Sequence, residues 1–313
     1  MSVLYFVIQL IIAIGIAPFL TGIIKKLKAL SQHRIGIPLL QPYYDLAKLF
    51  KKDVVRSKTA SWIYTIAPYI YFSTTAVACL FIPFFTLPGW SFKLGDALLM
   101  AYLLALGRFF ITLAALDTGS TFGGMGSSRE VMVSVLMEPA LILSIFALGS
   151  IAGSTGFDSI LNNFVANKGM ILEPIYIFTF IALFIILLAE TCRMPIDDPS
   201  THLELTMIHE AMILEYSGRD LALIEWASSI KQFLFISILV RVFLPFVVYT
   251  EFGVLSIFLS ICVFLLLTVL VSLIVGFVEI NLAKLRLFKI SRLSILAFTM
   301  SMMAALTYFV SWR

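Results

Sequence analysis

The sequence predicts an all-α integral membrane protein, one polytopic domain spanning residues 1–313 with about eight transmembrane helices. Three observations carry that expectation. Of the residues, 61% are hydrophobic and 13% charged, where a soluble domain carries about a quarter charged. The mean hydropathy is +1.04. Apolar stretches of about 20 residues, long enough as helix to cross about 30 Å of hydrocarbon, recur along the whole chain.

The first span, 2–23, has no positively charged start and no small-residue cleavage pattern, and Lys25, Lys26 and Lys28 follow it, so it reads as a retained helix and not a signal peptide. After it comes a long polar connection, "LSQHRIGIPLLQPYYDLAKLFKKDVVRSK". Within it Leu40, Tyr43, Ala47 and Phe50 recur at helical spacing, with Asp45, Lys48, Lys51 and Lys52 elsewhere around the wheel, as in a short amphipathic helix at the membrane interface. Its lysines suit anionic lipid. In "HRIGIP", Arg34 beside Gly36 and Pro38 makes a shaped turn with a fixed charge, suited to docking a protein or lining a cavity mouth.

Spans 62–87 and 95–115 come next, then the connection "LDTGSTFGGMGSSRE". Its glycines resemble a phosphate loop, but no G-K-[ST] follows and no strand precedes, so it reads as a flexible turn in which Ser127 or Ser128 caps the following helix and Glu130 sits in the first turn. Spans 129–152 and 171–192 lead to the fifth connection. There Asp198-Pro199 is a helix start, Thr201 to Glu204 an alternative capping box, and Ser217-Gly218 a stop, so the pattern predicts an amphipathic helix of about four turns. The remaining spans are 223–250, 253–282 and 290–311.

Lys and Arg resist translocation and so orient the bundle. The odd connections carry the lysines and arginines, among them Arg129, Arg193, Arg219, Lys284 and Arg286, whereas the even ones offer Lys93 and Lys168. Odd connections therefore face the cytoplasm, with both termini on the opposite side. The net charge of +4 is mostly a topology signal and does not point to nucleic acid. Cys79, Cys192 and Cys262 form no C-x-x-C pair, so neither a disulfide framework nor an iron–sulfur centre is expected on this chain.

The ionisable groups are unevenly placed. Glu190, Asp197, Asp198, Glu204, Glu210, Glu215, Asp220 and Glu225 fall within one stretch, together with His202 and His209, out of 18 carboxylates and 3 histidines in all. A metal site there fails the zinc-protease pattern, because Ile213 stands where the second histidine would be. Within the spans lie Arg108, Glu138, Lys231 and Arg241, with Glu130, Glu190, Glu225 and Glu279 nearer the ends. Each charge costs at least about 2.5–3.5 kcal/mol near a bilayer centre, which makes these groups functional candidates. One reading is simple pairing, for instance Glu138 with Lys231 or Arg241. The other is a proton relay: Glu130 and Glu138 lie about 12 Å apart along one helix, bridgeable by water and a neighbouring side chain.

These residues carry a resemblance over essentially the whole length. Arg34, Gly36, Gln41, Pro42, Asp45, Lys48 and Leu49, then Ala189, Glu190, Thr191, Arg193, Pro195 and Asp197, then Glu215-Tyr216-Ser217-Gly218, match motifs of one family. The chain resembles the membrane subunit shared by respiratory complex I and the formate hydrogenlyase and hydrogenase-4 complexes. The stretches "LDTGS", "GSSRE" and "AGST" look more like the hydrogenase branch. The resemblance implies a quinone-like cavity and coupling loop formed by Arg34, Glu190, Arg193, Asp197, Glu204 and Glu215, to which the acidic stretch adds His202, His209 and Glu210. It implies an inward route through Glu130, Glu138, Lys231 and Glu279, with Asp117 and Arg241 as further relay candidates. Gln41, Asp45 and Lys48 would dock at the interface. Ser200 and His202 stand where the family has carboxylates, which changes the loop's charge and titration range.

The function expected is a membrane-anchoring, proton-relay subunit of a hydrogenase-4 or formate hydrogenlyase type assembly. It would have no catalytic centre or bound cofactor of its own. A quinone or lipid would be the cavity's occupant, and iron–sulfur and nickel–iron centres would sit in partners. Those partners would be peripheral large, small and iron–sulfur subunits, antiporter-like membrane subunits and lipid. The alternative is the quinone-site membrane subunit of NADH:quinone oxidoreductase, complex I itself. A free-standing ion transporter fits less well, because no internal repeat is found.

Overall fold

A computed structural model describes residues 2–57, 59–84, 95–166, 173–197, 207–244 and 254–311. The described residues fold into helices: α1 Ser2–Ser31, α2 Gln41–Lys51, α3 Trp62–Leu80, α4 Ala97–Asp117, α5 Thr121–Ala152, α6 Phe157–Ala166, α7 Pro174–Glu190, α8 His209–Ile213, α9 Gly218–Phe243, α10 Val254–Asn281 and α11 Leu287–Ser311. Among them seven are long and apolar enough to cross a membrane, and α7 is a shorter apolar helix, consistent with about eight spans. No strand occurs among the described residues, only an isolated bridge between Asp96 and Gly156.

The bundle is organised around α9, which packs on α1, α2, α3, α7 and α10, while α11 lies against α5 and α7 and α3 lies against α4. Consequently α9 is buried almost all round in its second half, where Ile230, Phe233, Leu234 and Ile236 have no exposure and Lys231 and Gln232 are buried beside them. The lipid-facing positions are equally apolar, for example Leu266 on α10 and Phe109 on α4. The first, third, fifth and seventh connections meet at one end of the bundle. The amphipathic α2 lies at that end with Leu46 buried and Tyr44 exposed.

A proline inside a helix lacks the N–H that would bond the carbonyl one turn earlier, and in α1 and α3 a side chain takes up the freed oxygen. Pro18 frees Ile14, and Trp226 Nε1 of α9 donates to that oxygen at 3.0 Å. Pro68 frees Tyr64, and the Tyr216 hydroxyl donates to it at 3.1 Å. Beside the first of these prolines, the Tyr43 hydroxyl of α2 donates to the Gly15 carbonyl.

The structure corrects two local expectations. The glycine-rich connection is not a flexible turn: α5 starts at Thr121, with the Ser120 hydroxyl accepting from Gly123 N at 3.1 Å, and Ser127 and Ser128 sit inside the helix. Here glycine serves packing, since a Cβ on Gly126 would stand 3.0 Å from Ala211 and from the Ile208 carbonyl of the α8 segment. Ser217-Gly218 starts α9 and stops nothing. Gly218 has φ +57°, and a Cβ there would meet the Asp53 carbonyl at 2.5 Å. The four-turn helix expected from Asp198 lies largely outside the described residues, whose part of it is the short α8.

Candidate functional site: a chain of buried ion pairs below a polar cavity

Four helices each bring a charge to one place inside the bundle. Glu190 is the last residue of α7, buried on a helix whose other residues are almost wholly apolar. Its Oε1 lies 3.2 Å from Arg108 Nη1 of α4 and its Oε2 lies 2.7 Å from Lys231 Nζ of α9. Arg108 Nη2 reaches on to Glu138 Oε1 of α5 at 3.5 Å, and Ser134 Oγ donates to the same oxygen at 3.0 Å. Glu130, two turns up α5, is buried and accepts from the Cys192 thiol at 3.8 Å. The order Glu138, Arg108, Glu190, Lys231 therefore forms one contiguous line of alternating charge, with Glu130 beside it.

Buried charges hold their ionised forms only when matched, and a missing member leaves its neighbour unpaired in a low dielectric. Glu190 has two cations, so either can weaken its contact without leaving the carboxylate alone. Glu138 is the opposite case: its side chain keeps 39% of its exposure, in an open apolar groove of about 470 Å³ between Tyr102, Leu106 and Phe109 of α4 and Val131 of α5. The line thus begins within the bundle and ends on its lateral face.

At the other end of the line lies a cavity of about 300 Å³ bounded by α1, α2, α8, α9 and the segment after α7. Charged groups in its lining are Lys25, Asp45, Arg193, Asp197, Glu210 and Glu225, beside apolar Pro42, Leu46, Leu49 and Leu221. A chamber of about 20 Å³, room for one water, separates it from the ion pairs and touches Glu130, Glu190, Arg108 and Lys231. Burial and the nearby Glu225 push the Glu210 carboxyl up to about 7, against a smaller opposing pull from Lys25. Burial pushes the Cys192 thiol well above its usual range.

The segment after α7 is tied down by further pairs. Asp197 Oδ1 takes Lys284 Nζ at 2.7 Å, while its Oδ2 accepts from the backbone N–H groups of Ile208 at 2.9 Å and His209 at 3.3 Å. Arg193 donates from Nη2 to Gln232 Oε1 at 2.7 Å and lies 3.6 Å from Glu279 Oε2, and Glu279 Oε1 lies 3.9 Å from Lys28 Nζ. Leu285 N donates to the Pro195 carbonyl at 2.9 Å. Residues 193–197 are thereby pinned to α8, α9, α10 and the α10–α11 connection.

The sequence-derived candidates divide accordingly. Glu190, Glu130, Glu138 and Lys231 come together with Arg108, and Arg193, Asp197, His209, Glu210 and Asp45 line the cavity. Glu279 sits one ion pair behind Arg193. The partner expected for Glu138 differs: it is Arg108, because Lys231 is engaged by Glu190 and Arg241 lies near the far end of α9, donating to the Pro83 carbonyl at 2.7 Å. Arg34 is exposed and outside the cavity lining. Glu215 is exposed as well, and it is its carbonyl that accepts from the Tyr64 hydroxyl at 2.7 Å. Asp117 accepts from Ser61 N at 2.6 Å and so fastens the start of α3. Gln41 donates to Asp45 at 2.9 Å, and Lys48 is exposed. His202 and Glu204 lie outside the described residues. Arg108 is legible in the sequence as a membrane charge but not as the junction of two carboxylates. Among the described residues no cluster of His, Cys, Asp and Glu has the arrangement of a metal site.

Comparison with known proteins agrees with this architecture. Hydrogenase-4 component C of Escherichia coli (strain K12) is 32% identical over 302 residues, 96% of this chain and 94% of its own. Formate hydrogenlyase subunit 4 of the same organism is 30% identical over 287 residues, 92% of each chain. NADH-ubiquinone oxidoreductase chain 1 of Dictyostelium citrinum is 28% identical over 257 residues, 77% of each chain. A chain of the membrane-bound sulfane sulfur reductase, an archaeal respiratory membrane complex, shares the fold with a TM-score of 0.83 at 22% identity, covering 97% of this chain and 98% of that one. The NADH dehydrogenase family profile matches residues 3–310, and the chain belongs to that family.

Proposed function

We propose that this chain is the membrane-anchoring, proton-relay subunit of a complex I-type assembly of the hydrogenase-4 or formate hydrogenlyase kind. The observation that carries the relay is the row of ion pairs Lys231, Glu190, Arg108 and Glu138, which runs from a one-water chamber shared with Glu130 and bordering the polar cavity to the lateral face. Relatives at 32% and 30% identity over nine-tenths of the chain carry those names, which supports the hydrogenase branch over the corresponding subunit of NADH:quinone oxidoreductase.

In this reading the chain holds no redox centre, and iron–sulfur and nickel–iron chemistry belongs to a docked peripheral arm of large, small and iron–sulfur subunits. Charge movement in that arm biases the pinned segment 193–197 and α8, and the bias alters which cation holds Glu190. A proton (or another cation) is passed toward Glu138 and on to an antiporter-like neighbour. The cytoplasm lies on the side of the odd connections, following their lysines and arginines. Quinone reduction is the second reading. The six charged groups in the cavity lining suit water or a lipid headgroup, while Leu46, Leu49 and Leu221 in the same lining are what a quinone would meet.

The test is the intact assembly in closed vesicles, measuring redox turnover and acidification together. Glu190→Gln keeps the size and a polar end but removes the charge shared by Arg108 and Lys231, so less of the assembly should form, and in what does form proton movement per redox turnover should be abolished. Full coupling in that variant would overturn the relay.

A further inference from the structure

The cavity and the one-water chamber share four lining residues, Thr191, Cys192, His209 and Ser228, which form the partition between the polar cavity and the ion pairs. Any proton passing from one to the other crosses this wall. Three of the four are poorly equipped to carry it. The Thr191 hydroxyl is spent on the Leu187 carbonyl at 2.7 Å, and the Cys192 thiol on Glu130, with burial holding its proton firmly. Ser228 is an alcohol, whose proton leaves only far above neutral pH. His209 differs in kind: an imidazole can accept a proton on one ring nitrogen and release one from the other, and its Nε2 is buried with no hydrogen-bond partner among the described residues.

Resting on the relay reading above, we propose that the His209 imidazole is the proton gate of this wall, handing protons from the cavity to Glu130 and the Lys231–Glu190 pair. One ring nitrogen takes a proton from the cavity to form the imidazolium, and the other releases a proton toward the Glu130 carboxylate. No bond between heavy atoms forms or breaks, and the ring returns to neutral.

The surroundings suit a transient carrier. Burial and Lys231 of α9 hold the ring's proton affinity below its usual value, while Glu225 of α9 and Asp197 of the preceding segment pull it back up. Glu210 of α8 and Lys25 and Asp45 of α1 and α2 face it across the cavity. Across the chamber stand Tyr71 of α3, Arg108 of α4, Glu130 of α5 and Glu190 of α7. A ring so placed is neutral at rest and ready to receive. Its backbone is held independently, because His209 N donates to Asp197 Oδ2 at 3.3 Å, so the side chain can be changed without releasing the segment.

The experiment uses the whole assembly in closed vesicles. His209→Gln keeps a polar side chain of similar size but carries no proton, and it should lower proton movement about tenfold or more with subunit composition unchanged. Imidazole added to the medium, small enough for the cavity, should restore it. As a second arm, His209→Ala, which leaves room for the added base, should lose proton movement likewise and regain it with imidazole. Normal coupling in either variant, or a loss in both that imidazole leaves unchanged, would overturn the gate. Glu190→Gln run alongside separates the two readings: if it abolishes coupling while His209→Gln does not, the gate fails and the relay stands, and if both couple normally the relay itself fails.

Discussion

The two ends of the fifth connection, 190–197 and 215–220, both carry family motifs rich in charge and hydroxyls, yet they do opposite things. At the first end each carboxylate has more than one partner: Glu190 faces Arg108 and Lys231, and Asp197 faces Lys284 and two backbone amides. At the second end contacts are reciprocal and closed. Tyr216 stacks on Tyr64 at 4.1 Å, each hydroxyl taking a carbonyl of the other's segment. The Ser217 hydroxyl bridges the N–H and carbonyl of Val55 at 2.9 and 3.0 Å, and Arg56 reaches Asp220 at 3.0 Å. The first arrangement has alternatives and can switch; the second has none and holds. Motif membership therefore does not separate a carboxylate shared between several partners from one closed into a fastening, whereas the contacts do.

The sharpest way to break that contrast is to remove one of the alternatives. Lys231→Met leaves Glu190 with Arg108, so the chain should still accumulate and assemble, while coupled proton movement should fall by about two orders of magnitude, the scale of a lost proton-transfer group. Acidification per redox turnover in vesicles checks it. Glu190→Ala should be worse for the fold, because Lys231 then loses its carboxylate; breaking a buried pair costs about 3–5 kcal/mol, and the yield of folded chain in detergent should drop sharply.

At the fastening end, Gly218→Ala should destabilise by about 1–3 kcal/mol, since a methyl would press on the Asp53 carbonyl at an unfavourable φ, without changing the proton-to-turnover ratio of whatever assembles. Thermal unfolding of the purified assembly reads this. A pH series sharpens the comparison further. Glu210 has its carboxyl raised to about 7, so the folded state binds its proton more tightly than the unfolded one. Its contribution is favourable near pH 4.5 and is lost as the pH rises through about 7. Glu210→Gln should flatten that part of the stability profile and leave the variant more stable than the parent at about pH 8. Smallest of all is Glu215→Ala, which removes an exposed side chain and keeps the carbonyl that Tyr64 uses; stability should move by no more than about 0.5 kcal/mol and coupling should be unchanged.

Much of the architecture is legible because hydropathy and length report burial in lipid directly, and the spans expected from them match helices such as α4 and α11 within a few residues. The start of α5 is not, since four glycines read as a turn when considered alone; only the neighbouring α8 segment supplies the reason for small residues on a helix face. In the site, the membrane charges are legible one by one through their cost in hydrocarbon. Their pairing is not, because Arg108, Glu138, Glu190 and Lys231 sit on four different helices and no local pattern encodes the rotation of one helix against another. Arg34 and Glu215 are over-read for the complementary reason: a motif position marks shared geometry, and at both positions the side chain lies outside the cavity.

The proline-freed carbonyls of Ile14 and Tyr64 are both taken by aromatic side chains from one short stretch, Tyr216 to Trp226. Two separate helix breaks are thus referred to one anchor. The bends of α1 and α3 are set against the same end of the helix that bears Lys231, so the fastening at 215–220 aligns three helices at once.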